Sequence, residues 1–142
     1  MRITYNAKYL VDTNILLYTL DKKSPFHKES VKIMNNKRRA ELVVAQQNLL
    51  ELVAVLRRGF KVPLKQAIAD AQIFANNLKL IFPRPQTWLT FTGLAEKVRP
   101  TIYPFDIFLA ATMLDNGIDK IITANKKDFV GLGLSQVLAI VG

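Results

Sequence analysis

Apolar residues in this chain come in short runs that stop abruptly at polar ones. Tyr9-Leu10-Val11 runs into Asp12-Thr13-Asn14, after which Ile15-Leu16-Leu17-Tyr18 resumes the apolar pattern. That alternation predicts a buried strand whose end turns into a helix, with Asp12 or Thr13 as the cap. Pro25 opens a second helix through about residue 35, closed by the basic turn Lys37-Arg38-Arg39. Leu42-Val43-Val44 reads as a second strand, and residues 46–58 as a helix ended by Gly59. Beyond a break at Val62-Pro63, residues 64–78 carry Ala67, Ile68, Ala71, Phe74, Ala75 and Leu78 on one helical face. Leu80-Ile81-Phe82 is a third strand, stopped by Pro83 and Pro85. Helices follow over about 86–98 and 104–116, the second opened by Pro104 and closed by Gly117. Residues 120–123 give a fourth strand and 137–141 a short fifth. Short apolar strands alternating with helices predict an α/β domain built on a mostly parallel five-stranded sheet.

At 142 residues the chain is expected to be one domain, 1–142, with no internal repeat and no linker. Composition narrows the chemistry. There is no cysteine, which excludes disulfides, thiolate metal sites and a Cys nucleophile; one histidine, His27, makes a Ser-His-Asp triad a poor candidate. Twenty Lys and Arg against eleven Asp and Glu give a formal charge of +9, the sign expected of a protein that meets a polyanion. No apolar run approaches the ~20 residues of a membrane span, and the first ten residues are too polar for a signal peptide. A cytoplasmic protein without a membrane partner is the expectation.

In so basic a chain most acids have a cation within three positions. Asp12, Glu51, Asp70, Asp106 and Asp115 do not. Asp70 and Asp115 read as solvated helix positions. The other three lie in hydrophobic sequence, in YLVDTNILL, NLLELVAVL and YPFDIFLAA. A carboxylate withdrawn from water costs several kcal/mol unless it is paired or holds a cation. Asp12 sits at the carboxyl end of a strand, where parallel sheets place their sites. Asp106 falls in the first turn of a helix, and Glu51 on a narrow polar stripe with Gln47 and Arg58. Each acid alone has a plainer reading: Asp12 as an N-cap, Asp106 as a partner of the helix dipole, Glu51 reaching the rim or Arg58. Together they suggest a hard-cation site, whose oxygen-only ligands favour Mg²⁺ or Mn²⁺ over zinc.

Three blocks, YLVDTNILLY, AQQNLLELVAVLRR and PFDIFLAATMLDNGIDKIITANKKDF, resemble in order and spacing the PIN-domain nucleases, and within them the VapC-type toxins of toxin–antitoxin pairs. The resemblance covers Tyr9 to Phe129. It implies a three-layer α/β/α sandwich with the first and fourth strands adjacent, and metal-dependent endonucleolytic cleavage of RNA. It implies an antitoxin partner that docks near the site. Asp12, Glu51 and Asp106 match the family's acidic positions, and Thr13 and Asn14 its polar turn, expected to meet the substrate. The family's fourth acid falls two residues after the Thr that matches Thr123; here that position is Asn125, and Asp128 lies three residues further on. Asn125 acting through water, or Asp128 in its place, completes the site.

Hydrolysis of a phosphodiester needs charge neutralisation, an activated water and in-line geometry. A bound Mg²⁺ supplies the first and lowers the pKa of the water for the second. Asp12 and Asp106 are the expected direct ligands, and Glu51 binds a second ion or orients the water as a base. Arg57, Arg58, Lys61 and Lys65 beyond the Glu51 helix, and Lys126 and Lys127 beside Asn125, would attract the RNA backbone. Phe26 and Tyr103 are candidates to stack on bases, whereas Phe105 reads as core. Leu16, Leu17, Ile33 and Met34 on the early helices suggest a hydrophobic dimer surface and hence a homodimer. The rival function is a degenerate domain of the same fold that binds RNA or protein without catalysis. A phosphotransfer domain is a second rival, but it wants an acid beside Asp12 or at Asn14, and neither is there.

Overall fold

A computed structural model describes residues 3–36 and 40–142. Five strands form one all-parallel sheet in the order β3-β2-β1-β4-β5. Along the chain these are β1 (Ala7–Val11), β2 (Ala40–Ala45), β3 (Lys79–Ile81), β4 (Lys120–Thr123) and β5 (Gln136–Ala139). The helices are α1 (Thr13–Leu20), α2 (His27–Asn35), α3 (Gln46–Gly59), α4 (Leu64–Asn77), α5 (Thr87–Ala95) and α6 (Pro104–Asp115). A 3-10 turn, Lys126–Asp128, follows β4. The expected elements are all present; α2 begins two residues after Pro25, and α5 stops short of residue 98. The basic turn Lys37-Arg38-Arg39 lies outside the described residues.

The strands read as near-continuous apolar runs because both faces of the sheet are covered, as parallel sheets require. Successive residues go to opposite layers. Tyr9, Val11, Leu42, Val44 and Ile122 pack with α1 to α4, while Leu10, Val43, Ala45 and Ile121 pack with α5 and α6. From Ile107 to Met113, α6 is apolar nearly all round, wedged between the sheet and α5. It ends in a Schellman motif: Gly117 takes φ 72°, its N–H donates to the Leu114 carbonyl at 3.0 Å, and the Ile118 N–H donates to Met113 at 2.9 Å.

Three expectations need correction. Leu16, Ile33 and Met34 are core residues facing the sheet, so they offer no dimer surface; Leu17 is only partly buried. Exposed apolar surface lies instead around a groove of about 390 Å³ lined by Leu50, Trp88, Phe91, Phe105 and Phe108. Phe105 is 54% exposed, tilted against Tyr103 at 5.2 Å, because its position in the first turn of α6 turns it off the sheet. Asp115 is a structural acceptor, taking the Thr87 and Thr90 hydroxyls at 2.6 and 2.8 Å and pinning α5 to α6. No helix of the described residues is long and apolar enough to cross a membrane.

Candidate active site

The chain leaves β1 towards β2 and β3 on one side and reaches β4 and β5 on the other. The crevice at the carboxyl ends of β1 and β4 is therefore the topological switch point of the sheet. Val11 is the last residue of β1, and the Asp12 N–H still donates to the Ile122 carbonyl of β4 at 3.0 Å, which fixes Asp12 at that edge. Asp12 then caps α1, with Oδ1 accepting the Thr13 N–H at 2.8 Å. Its other oxygen accepts the Thr123 hydroxyl at 2.8 Å, from the last residue of β4. The cap reading of Asp12 therefore holds. A cap uses one oxygen, and the second faces the crevice wall.

Glu51 comes from the helical layer on one side of the sheet and Asp106 from the layer on the other. Glu51 Oε1 accepts from the Thr13 hydroxyl and from Gln47 Nε2, each at 3.3 Å. Gln47 Nε2 also donates to the Phe105 carbonyl at 2.9 Å, joining α3 to the first turn of α6, one residue from Asp106. Asn48 is fully buried; its Oδ1 accepts the Ala45 N–H at 3.0 Å and its Nδ2 donates to Thr13 Oγ1 at 3.1 Å.

The acids press on one another. Burial pushes the Asp12 carboxyl up, against hydrogen bonds from Thr123 and Thr13, and the charge of Asp128 adds to the rise. Glu51 is raised by burial and then by Asp12, with Gln47 and Thr13 pulling it down. Asp106 is pushed up to about 7, by burial first and then by the charges of Asp12, Asp128 and Glu51. Among the described residues no basic side chain forms an ion pair with them. The ion pairs among the described residues are Lys8–Glu41 and Lys120–Asp119, both away from the crevice. Among the described residues no three acids stand close enough to grip a single ion. The charges of Asp12, Glu51, Asp106 and Asp128 nevertheless reach one another near the carboxyl ends of β1 and β4. That donor set suits Mg²⁺, which keeps much of its water and takes one or two carboxylates.

The fourth position resolves unequally. Asn125 is exposed; its N–H donates to Thr123 Oγ1 at 3.0 Å, a backbone contact that any residue could make. Asp128, half-buried on the 3-10 turn, contributes a charge felt by Asp12 and Asp106. Thr13 and Asn14, expected to meet substrate, have their polar atoms directed into the protein. Asn14 Oδ1 accepts the Ala124 N–H at 3.3 Å, and its Nδ2 donates weakly to Thr123 Oγ1 at 3.5 Å. Lys126 and Lys127 are exposed on the turn that carries Asp128, and Arg57, Arg58 and Lys61 are exposed around the far end of α3. Phe26 stacks on Tyr18 at 4.8 Å, while Tyr103 is 57% exposed.

The donor role of Thr123 and the placement of Asn48 are not announced by the sequence. The available signals were a Thr closing an apolar strand, and an Asn three residues before Glu51 at the start of its helix.

A family model described as "PIN domain" matches residues 9–131. Ribonuclease VapC24 of Mycobacterium tuberculosis is 30% identical over 137 residues, covering 89% of this chain and 92% of its own. VapBC2 from Rickettsia felis, in a crystal structure bound to a DNA fragment from its promoter, superposes with a TM-score of 0.67 at 16% identity, covering 94% of this chain and 99% of the other. VapBC-1 from nontypeable Haemophilus influenzae gives 0.65 at 21% identity, covering 93% and 97%. The two structures share the fold.

Proposed function

This chain belongs to the PIN-domain family, and from that premise we propose that it is a divalent-metal-dependent endoribonuclease, the toxin of a toxin–antitoxin pair. The observation that carries the reading is the uncompensated charge of Asp12, Glu51, Asp106 and Asp128 around the β1/β4 crevice, in a chain of net charge +9. Among the described residues no basic side chain pairs with these acids, which leaves them available to a cation.

Asp12 and Asp106 are assigned as the ligands of Mg²⁺ or Mn²⁺, with Asp128 adding its charge from outside the ligand shell and Asn125 at the rim. When bound, the cation offsets the phosphate charge and acidifies a coordinated water. Glu51 acts as base or holds a second ion. Thr13 and Gln47 both donate to its Oε1, which leaves Oε2 to take a proton of the attacking water as the water oxygen bonds to phosphorus and an ester P–O bond breaks, the leaving oxygen taking a proton from solvent. Lys126 and Lys127 flank this centre, and Arg57, Arg58 and Lys61 extend the cationic border along α3, so that the backbone of RNA is drawn across the acids. The antitoxin is the expected protein partner; the VapC24 relative, named a ribonuclease, and the VapBC complexes of the same fold support both assignments.

The test is cleavage of single-stranded RNA by the purified chain with Mg²⁺ or Mn²⁺, against the same reaction with chelator. Cleavage that chelator stops supports the proposal. RNA binding without cleavage at any metal concentration would replace it with the binding-only reading.

A further inference from the structure

We propose that Asn48 is a positioning residue, which acts through Thr13 to hold Glu51. The inference rests on the ribonuclease reading for its consequence, but its geometry stands apart from it.

The Ala45 N–H at the start of α3 needs an acceptor, and Asn48 Oδ1 supplies it at 3.0 Å. That contact fixes which end of the buried carboxamide is oxygen, because the reverse orientation would set two donors face to face. The NH₂ group is then obliged to point the other way, and it donates to Thr13 Oγ1 at 3.1 Å. A hydroxyl that accepts a hydrogen bond from a fixed donor has its single proton left for another partner. The acceptor in reach is Glu51 Oε1, at 3.3 Å. A chain of fixed direction therefore runs from the Ala45 N–H through Asn48 and Thr13 to Glu51, anchored at one end in the backbone.

The same construction appears at the other acid. The Ala124 N–H donates to Asn14 Oδ1, Asn14 Nδ2 and the Asn125 N–H donate to Thr123 Oγ1, and the Thr123 hydroxyl donates to Asp12 Oδ2. In both cases an asparagine tied to a backbone N–H fills the acceptor side of a threonine, so that the threonine can only donate to a carboxylate. Asn48 has a plain structural use as well, reaching back from the third helical position to the N-cap residue. The test must separate that use from the relay.

Steady-state RNA cleavage by Asn48→Ala, Thr13→Val and the double variant does so. With KM held within about twofold, each single change is expected to lower kcat roughly 10- to 100-fold, as losses of residues that orient a metal site do. The double variant should be no slower than the worse single one, and Thr13→Ser should restore most of the rate. Losses that multiply in the double variant would overturn the proposal, as would a stable Asn48→Ala with unchanged kcat, which would leave Asn48 a cap alone. Should Asn48→Ala not fold, Asn48→Asp keeps the acceptor for Ala45 but turns the donor facing Thr13 into an acceptor. Its kcat should fall as in Thr13→Val, and wild-type kcat would overturn the relay. A readout independent of activity is the Glu51 carboxyl ¹³C shift in the metal-free protein at pH 8. It should move equally in both single variants and no further in the double; separate, additive shifts contradict the relay. A wild-type chain that fails to cleave RNA defeats the ribonuclease reading, and the ¹³C shifts still decide the role of Asn48.

Discussion

The Thr123 hydroxyl, 111 positions further along the chain, donates to Asp12 Oδ2 at 2.8 Å. This contact ties the end of β4 to the end of β1 across the switch point, and it gives the most buried acid of the crevice its one side-chain donor. Removing it strands a buried carboxylate oxygen. Thr123→Val is expected to cost about 2 kcal/mol, or roughly 4–8 °C of melting temperature in a chain of this size. Burial raises the Asp12 carboxyl, so the loss should shrink as pH falls and Asp12 takes up a proton, because the protonated acid no longer needs the donor. Thermal melts across a pH series check this.

Asp106 makes the pH dependence of stability legible. Its carboxyl is pushed up to about 7, so between its ordinary range near 4 and about 7 the folded chain binds more protons than the unfolded one. Stability contributed by the protonated acid is therefore fully present below about pH 4 and is lost as pH rises through about 7. Asp106→Asn removes that penalty. In metal-free buffer the variant should match wild type at pH 4 and melt higher at pH 8, by roughly 2–4 °C if about 1 kcal/mol is recovered. A variant that melts lower than wild type at pH 8 would show that Asp106 is not under repulsion.

The acids were legible in the sequence because each is an isolated charge in an apolar run, and a one-dimensional string shows isolation well. The sheet was legible for the same reason: YLV, LVV and KIIT are bounded by polar residues and turn signals. What was not legible depends on direction and on distant partners. Phe105 stands one residue before Asp106, and only the rotation of α6 decides that it faces outward while Ile107 faces in. Asp115 looks solvated until Thr87 and Thr90 of another helix are brought against it. The apolar early helices look like spare surface until Leu16, Ile33 and Met34 are seen filling the layer over β1. Ile68 sits on the predicted apolar face of α4 yet is half exposed, since the core reaches only as far as Ala67 and Ala71.

The fourth acidic position can be assigned by a pair of variants. Asp128 is the residue whose charge reaches Asp12 and Asp106, whereas Asn125 is exposed. Asp128→Asn should raise the Mg²⁺ concentration for half-maximal cleavage severalfold, and Asn125→Asp should shift it much less. A metal titration of cleavage rate distinguishes them, and the opposite ranking would restore Asn125 as the ligand position.

Substrate attraction and chemistry should separate. Arg58 follows Glu51 by seven residues, about 10 Å along the helix axis. Neutralising Arg57, Arg58 and Lys61 should weaken RNA binding irrespective of sequence and flatten its salt dependence by roughly 0.7 per lost phosphate contact. Maximal turnover should change far less. An unchanged slope in a binding titration across salt concentrations would place the RNA elsewhere, with Lys126 and Lys127 the next residues to neutralise.

The most direct test of the central claim, that this crevice keeps its acids uncompensated for a divalent cation, is the melting temperature as Mn²⁺ is added to wild type and to Asp12→Asn. A ligand that binds only the folded chain stabilises it by about 2.7 kcal/mol at a hundredfold excess over Kd, roughly 5–10 °C here. Wild type should rise by that order and the variant by little. Equal rises in both, or none in either, would contradict the assignment of the crevice as the metal centre.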